Sequence, residues 1–131
     1  MIVVDASVVA NVVGDDAPAG AMARESVRSQ VLVAPDLVDV EVTAVLRKRW
    51  LAGDLDERRF GLAVDDLTAL PITRYPTRLL MRRAFELREN VTAYDAAYLA
   101  LAELLGCALL TADQRLARAP GLRCRVDVLG A

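Results

Sequence analysis

The chain contains no histidine and only two cysteines, Cys107 and Cys124, which are not arranged as a Cys-x-x-Cys pair. Zinc sites and His-based catalytic triads draw their ligands and bases from these residues, so both kinds of site are effectively excluded. The two cysteines are expected to be buried thiols of a protein in a reducing compartment.

Lysine is also scarce, because Lys48 is the single lysine among the 16 basic residues. One explanation is a GC-rich coding sequence, which also favours Ala and Val, and for most of the arginines we favour it. The other explanation is phosphate binding, for which the planar guanidinium is well suited. The net charge of −2 and the pI of about 5.1 argue only weakly against a nucleic-acid partner.

Long apolar runs are missing as well. No run approaches the roughly 18–20 residues that a membrane span needs, and the first residues lack the basic segment of a signal peptide. We therefore expect a cytoplasmic protein without a membrane partner, folded as one domain over residues 1–131. Because 55% of the residues are hydrophobic, some apolar surface is expected to form an oligomer or partner interface.

Short apolar strands alternate with helices along the chain. The strands are predicted at residues 2–4, 31–34, 70–73, 107–111 and 124–129. The helices are predicted at residues 6–13, 20–29, 37–52, 55–69, 77–90, 93–105 and 114–118. Strands that are apolar on both faces are typical of a parallel sheet with helices on each side. The predicted fold class is therefore α/β, with ligands expected at the carboxyl ends of the strands.

Asp5 and Asp113 follow two of the predicted strands, so both are expected at the same edge of the sheet. Each could simply cap the helix that follows it, which is the commonest role of an aspartate at such a position. From the sequence alone, capping and a role in a site are about equally supported for each of them.

Glu41 lies on an apolar face of the predicted helix 37–52. Asp39, Thr43 and Arg47 step by four residues and mark the solvated stripe of that helix, and Glu41 points away from the stripe. Asp36 and Asp39 are explained by capping of the helix N-terminus. Capping does not explain Glu41, so this carboxylate is predicted to have a functional role.

Asp95 is a second acid beside apolar residues, in the segment TAYDAAYLALA at residues 92–102. Thr92 and Asp95 have the spacing of a capping box, which is the structural alternative. A charge near the core is costly unless something compensates for it. Taken alone, Asp95 is ambiguous.

The four acids Asp5, Glu41, Asp95 and Asp113 can meet, because helix N-termini and strand carboxyl ends share one edge in this class of fold. Carboxylates that lie so close repel one another unless a cation intervenes. Mg²⁺ or Mn²⁺ prefers oxygen ligands, and a pair of such ions can support phosphodiester cleavage. Polar side chains nearby could orient the ligands or belong to ordinary turns and caps: Ser7, Asn11 and Thr111.

These motifs together resemble a PIN-domain ribonuclease, and more narrowly the VapC-type toxins of bacterial toxin–antitoxin pairs. The segments that carry the resemblance are VVDAS at 3–7, LVDVEVTAVL at 37–46, TAYDAAYLALA at 92–102 and LLTADQRL at 109–116. By position, the acidic residues of the family fall on Asp5, Glu41, Asp95 and Asp113. Many members of the family carry another acid just after the last one, whereas Gln114, Arg115 and Leu116 follow Asp113 here. The resemblance therefore does not decide whether one or two metal ions bind.

The resemblance implies a three-layer α/β/α sandwich with a central, mainly parallel sheet, and a Mg²⁺- or Mn²⁺-dependent endoribonuclease. It also implies structured RNA substrates of the tRNA or rRNA class, a homodimer, and a small VapB-like antitoxin that binds and inactivates the toxin. Arginines that could contact RNA or the antitoxin are Arg47, Arg49, Arg82 and Arg115. The alternative for these arginines is a solvated helix face.

Two other functions are weighed against nuclease activity. A catalytically silent PIN fold could act only as a binding module, and the intact set of acids argues against it. A phosphoacceptor receiver domain needs a pair of aspartates after the first strand and a late lysine. Here Asp5 stands alone after its strand and Lys48 lies within a helix, which disfavours the receiver.

Overall fold

The computed structural model describes residues 1–130 and contains one five-stranded sheet. The strands are β1 (Ile2–Val4), β2 (Leu32–Pro35), β3 (Ile72–Tyr75), β4 (Ala108–Thr111) and β5 (Val126–Val128). Their order in the sheet is β3-β2-β1-β4-β5, and every pair is parallel. The first, second and fourth strands are wholly buried, as expected for apolar strands with helices on both faces.

Within residues 1–130, seven α-helices connect the strands. They are α1 (Ala6–Gly14), α2 (Pro18–Val27), α3 (Val38–Leu51), α4 (Glu57–Ala69), α5 (Met81–Glu86), α6 (Ala93–Leu105) and α7 (Gln114–Ala117). The chain winds from β1 to β3 through α1–α4 and then crosses back to β4 through α5 and α6. Because such crossovers are right-handed, the two groups of helices cover opposite faces of the sheet. The predicted three-layer α/β/α fold is confirmed.

Helix α6 forms the centre of one layer, against β1, β2 and β4. Its residues 96–102 are all buried, which accounts for their composition of Ala, Leu and Tyr. The helix ends at Gly106, which has a positive φ of 66°. A left-handed residue of this kind is a common helix C-terminus and favours glycine.

The predicted helix 77–90 is wrong in part. Thr77–Leu80 forms a 3₁₀ turn, and α5 continues only to Glu86. The helix has to end there because the chain reverses direction before Thr92 caps α6. The predicted strand 70–73 is displaced to β3, since Leu70 still closes α4 and Pro71 has no N–H for the sheet.

Two further expectations are corrected. Asp36 and Asp39 do not cap α3, because the Asp36 carboxylate accepts hydrogen bonds from Thr77 and the Asp39 carboxylate pairs with Arg74 at 2.8 Å. Cys107 and Cys124 are free thiols, as expected, but they are only half-buried.

Within residues 1–130, no helix is both long and apolar enough to cross a membrane.

Candidate active site

The candidate site lies where the direction of winding reverses, between β1 and β4. These neighbouring strands pair in the register Val4 with Leu110, so their carboxyl ends are side by side. Asp5 follows β1 and caps α1 by accepting a hydrogen bond from Val8 N at 3.2 Å. Asp113 follows β4 and caps α7 in the same way, through Arg115 N at 2.9 Å. Both aspartates therefore cap helices and also stand at the switch point of the sheet, where ligands bind in this class of fold.

Asp5 is a buried carboxylate, 7% exposed, that two hydroxyls hold in place. Its two oxygens accept hydrogen bonds from Ser7 Oγ and Thr111 Oγ1, one each. These hydroxyls in turn accept from the β4–α7 loop, with Ala112 N at 3.1 Å and Asp113 N at 3.0 Å. The result is a network that ties the end of β1 to the end of β4.

Burial raises the pKa of Asp5, although the hydrogen bonds from Ser7 and Thr111 oppose that shift. The charge of Asp95 raises it further. The Asp5 carboxylate is thus oriented by its donors and also electrostatically unsatisfied. Such a group gains from a nearby cation.

Glu41 projects from α3 and is half-buried, and its atom Oε1 is buried without a hydrogen-bond partner. The hydroxyl oxygen of Tyr98, on α6, is also buried without a hydrogen-bond partner. Burial raises the pKa of Glu41, the neighbouring Tyr98 hydroxyl opposes that shift, and the charges of Asp95 and Asp5 raise the pKa further. The two unpaired oxygens thus lie near each other without forming a well-aligned hydrogen bond. Burial and the charge of Glu41 likewise raise the pKa of Tyr98. A buried, unpaired oxygen in a native fold calls for an explanation such as a catalytic role or an ion.

Asp95 lies in the first turn of α6, where its N–H donates to the Thr92 hydroxyl at 3.2 Å. Thr92 is therefore the N-cap of α6, in agreement with that half of the predicted capping box. Burial raises the pKa of Asp95, and the charge of Asp113 raises it again. Asp95 is the carboxylate that couples electrostatically to each of the other three acids.

Asp113 differs from the other acids because Arg115 pairs with it. Arg115 Nε and Nη2 approach its two carboxylate oxygens at 3.3 Å each. The hydrogen bonds from Arg115 lower the pKa of Asp113. Arg115, one of the predicted RNA or antitoxin contacts, is thus beside the acids and pairs with Asp113.

The remaining predicted residues lie away from the acids. Asn11 Oδ1 accepts from Arg49 Nη2 at 2.7 Å, so this pair links α1 to the end of α3. Arg49 also donates to the Ala10 carbonyl oxygen at 3.4 Å. Arg47 is exposed on α3, and the Arg82 guanidinium lies 5.4 Å from the centroid of the Phe85 ring.

The donor set fits a hard divalent cation in its chemistry. All four acids offer oxygen ligands, three of them have raised pKa values, and Glu41 Oε1 lacks a partner. Across residues 1–130, however, no three acidic, cysteine or histidine side chains are grouped tightly enough to ligate one ion. The carboxylates as they stand are therefore close enough to repel one another but do not surround a single point.

A cleft of about 560 Å³ opens beside Asp95 and Asp113. Asp5 and Glu41 are not among the residues that line it. Its wall carries three arginines, at positions 88, 115 and 118. Sequence reasoning named Arg115 but missed Arg88 and Arg118, and it also missed Tyr98. The signal for Tyr98 was its spacing, three residues after Asp95 on the same helix.

Comparison with known proteins identifies the family. The PIN domain model matches residues 2–122. The chain belongs to the PIN-domain family. Its PIN-domain relatives include Ribonuclease VapC9 of Mycobacterium tuberculosis, 41% identical over 132 residues that cover 98% of each chain. Ribonuclease VapC1 of the same organism is 38% identical over 128 residues, which cover 97% of this chain and 96% of the relative. The resemblance to VapC-type PIN domains is thereby confirmed.

Solved PIN-domain structures share the fold at lower identity. The crystal structure of VapC20 from Mycobacterium tuberculosis, described as a toxin that cleaves the sarcin–ricin loop, superposes with a TM-score of 0.72 at 18% identity. It covers 93% of this chain and 96% of that one. VapBC2 from Rickettsia felis, bound to a promoter DNA fragment, gives a TM-score of 0.67 at 12% identity, with 98% of each chain covered.

Proposed function

We propose that this PIN-domain protein is a metal-dependent endoribonuclease toxin that hydrolyses phosphodiester bonds in cellular RNA. The observation that carries the proposal is geometric: Asp5 and Asp113 follow the neighbouring strands β1 and β4, and hydrogen bonds through Ser7 and Thr111 join them. The half-buried acids Glu41 and Asp95 lie near enough for their charges to interact with this pair. The names of the VapC relatives, all ribonucleases, support RNA as the substrate.

Asp5, Glu41, Asp95 and Asp113 would hold one or two Mg²⁺ or Mn²⁺ ions. When bound, such an ion supplies positive charge at the attacked phosphate and makes water a better nucleophile at neutral pH. It would also offset the mutual repulsion of the carboxylates, since all of its ligands are oxygens. The ordinary preference of these ions for carboxylate and water ligands is the chemical basis of this assignment.

The residues around the acids have separate tasks in this proposal. Ser7 and Thr111 orient the Asp5 carboxylate, and Arg115 restrains Asp113. Glu41 and Asp95 are the two carboxylates proposed to help remove a proton from the attacking water. We leave the general base as one of these two.

The proposed partners follow from the VapC relatives and from the surface of α3. Val40 and Leu51 are 73% and 60% exposed and lie on one face of that helix with Ala44 and Arg47. Exposed apolar side chains at helical spacing suit a protein interface. We propose that the toxin forms a homodimer in the cytoplasm and that a small VapB-like antitoxin neutralises it in a hetero-oligomer.

A second candidate is a catalytically silent PIN domain that only binds RNA or protein. The observation that favours it is the pairing of Asp113 with Arg115, together with the absence, among the described residues, of three carboxylates grouped at ligating spacing.

Incubation of the purified protein with cellular RNA distinguishes the two candidates. We expect cleavage with Mg²⁺ or Mn²⁺, none with EDTA, and new RNA ends that map to tRNA or rRNA. Ends that map to messenger RNA would correct the substrate class but keep the activity. If RNA stays intact with either metal across a range of protein concentrations, the silent module is the better description.

A further inference from the structure

Arg88 is held in a fixed position on the wall of the cleft beside Asp95 and Asp113. Its guanidinium lies 4.3 Å from the centroid of the Phe85 ring, and its Nη1 donates to the Phe85 carbonyl oxygen at 3.0 Å. Phe85 itself is 53% exposed. A guanidinium stacked on an aromatic ring gains from the cation–π attraction and loses less freedom when it binds a ligand.

Arg118 lines the same cleft from the end of α7. In the described part of the chain, neither Arg88 nor Arg118 forms an ion pair with a carboxylate. Other arginines are engaged by the protein itself, as Arg59 is by Asp16 and Arg83 is by Glu103. The cleft therefore presents two guanidinium groups that pair with no carboxylate, next to two of the candidate catalytic acids.

We propose that Arg88 and Arg118 bind the backbone phosphates of single-stranded RNA that flank the bond to be cleaved, with Phe85 as a positioning residue for Arg88. This inference rests on the proposed ribonuclease activity. The guanidinium fork matches phosphate oxygens in two parallel hydrogen bonds, which an ammonium cannot reproduce. An arginine plane can also stack on an unpaired base.

Charge is the reason that such residues are needed. A bound metal ion would attract only the phosphate at the acids, so the phosphates on either side of it need cations outside the acid cluster. Arg88 and Arg118 come from the ends of two different elements, α5 and α7, and both line the cleft that contains Asp95 and Asp113. An RNA strand whose phosphates bind both arginines would lie along that cleft, next to Asp95 and Asp113.

Binding of a fluorescent 12-nucleotide single-stranded RNA in EDTA tests the inference without cleavage. We expect Arg88→Ala and Arg118→Ala each to weaken binding roughly tenfold. Each should also lower the slope of log affinity against log salt by about 0.7, the value for one phosphate contact on a single strand. The matched control is Arg58→Ala, because Arg58 is exposed on α4 outside the cleft and, among the described residues, also pairs with no carboxylate. This variant should change neither quantity.

Phe85→Leu tests the positioning role. It should weaken binding less than Arg88→Ala does, and the double variant should bind no more weakly than Arg88→Ala alone, because Phe85 acts through Arg88. Thermal melting checks that this half-exposed site still folds. Additive losses would overturn the positioning role.

The two proposals fail in different ways. If the wild type cleaves RNA but Arg88→Ala and Arg118→Ala retain its affinity, its KM and its salt slope, the phosphate sites are overturned and the nuclease stands. The same two sites are overturned if the wild type does not bind the RNA at low salt. If binding depends on both arginines and no metal supports cleavage, the phosphate-binding role of the arginines is retained and the proposed ribonuclease activity is rejected.

Discussion

Replacement of Thr111 by valine tests how far the buried Asp5 carboxylate depends on its donors. Thr111 is fully buried, and valine has nearly the same shape without the hydroxyl. The change removes the hydrogen bond to Asp5 and leaves Asp113 N without the acceptor that it has at 3.0 Å. A hydrogen bond to a charged group contributes about 1.5–3 kcal/mol and a neutral one about 1 kcal/mol. We expect the free energy of unfolding to fall by roughly 2–4 kcal/mol in total.

Urea unfolding at neutral pH measures this loss. With a denaturant slope of about 2 kcal/mol per molar, the midpoint should move by roughly 1–2 M urea. Thr43→Val is the matched control, because the Thr43 hydroxyl makes one neutral hydrogen bond, to the Asp39 carbonyl oxygen at 2.8 Å within α3. That variant should lose about 1 kcal/mol or less.

A double-mutant cycle with Asp5→Asn isolates the charge. In the asparagine background there is no carboxylate to satisfy, so Thr111→Val should cost clearly less than it does in the wild type. The reasoning is refuted if Thr111→Val is no more destabilising than Thr43→Val, or if its cost is the same in both backgrounds.

Two further predictions concern stability. Gly20→Ala should destabilise the protein by about 1–3 kcal/mol or more, because a Cβ there would lie 1.8 Å from the Asp15 carbonyl oxygen. A Cβ at Gly61 would have no atom within 4 Å, so Gly61→Ala should stabilise the protein by about 1 kcal/mol through helix propensity. Thermal melts that rank the two variants alike would contradict the packing around α2. Burial would raise the pKa of Glu103, but hydrogen bonds, led by those from Arg83, outweigh burial and lower the pKa. The stability that Glu103 contributes is therefore present above its usual pKa of 4.5 and is lost as the pH falls through the lower pKa of the folded state. Glu103→Gln should therefore reduce the dependence of stability on pH below about pH 4.5, and an unchanged acid profile would count against this ion pair.

The fold could be predicted because the local signals agree with one another. The β-branched run at residues 2–4 and the Ala- and Leu-rich run at 93–105 each bury all or most of their length, so their type and limits followed from hydrophobicity alone. Helix 77–90 was wrong in part because the break after Glu86 depends on how α5 packs against α6, which is a tertiary effect.

Part of the candidate site could also be predicted from the sequence. The position of Asp5 after a buried strand and of Glu41 on an apolar helix face predicted that the two would approach each other. The charge of Asp5 is one of the causes that raise the pKa of Glu41. Whether they bind a metal stays a prediction.

Contacts between distant segments could not be read from the sequence. Arg49 looked like a surface cation, yet it donates to α1, 38 and 39 residues away along the chain. Nothing in the sequence distinguishes Arg88 and Arg118 from the other arginines, and only the fold brings them to one cleft.

Metal-dependent RNA cleavage by Asp95→Asn is the measurement that tests the central claim most directly. Asp95 couples to the other three acids, and the amide keeps its shape while removing its charge. We expect the cleavage rate with Mn²⁺ or Mg²⁺ to fall by about 100-fold or more, since even partners outside the metal ligands commonly cost 10–100-fold. Asp66→Asn, an exposed acid on α4, should cleave at the wild-type rate. Cleavage by Asp95→Asn at the rate of the Asp66→Asn control, or equal wild-type cleavage in EDTA, would contradict the account.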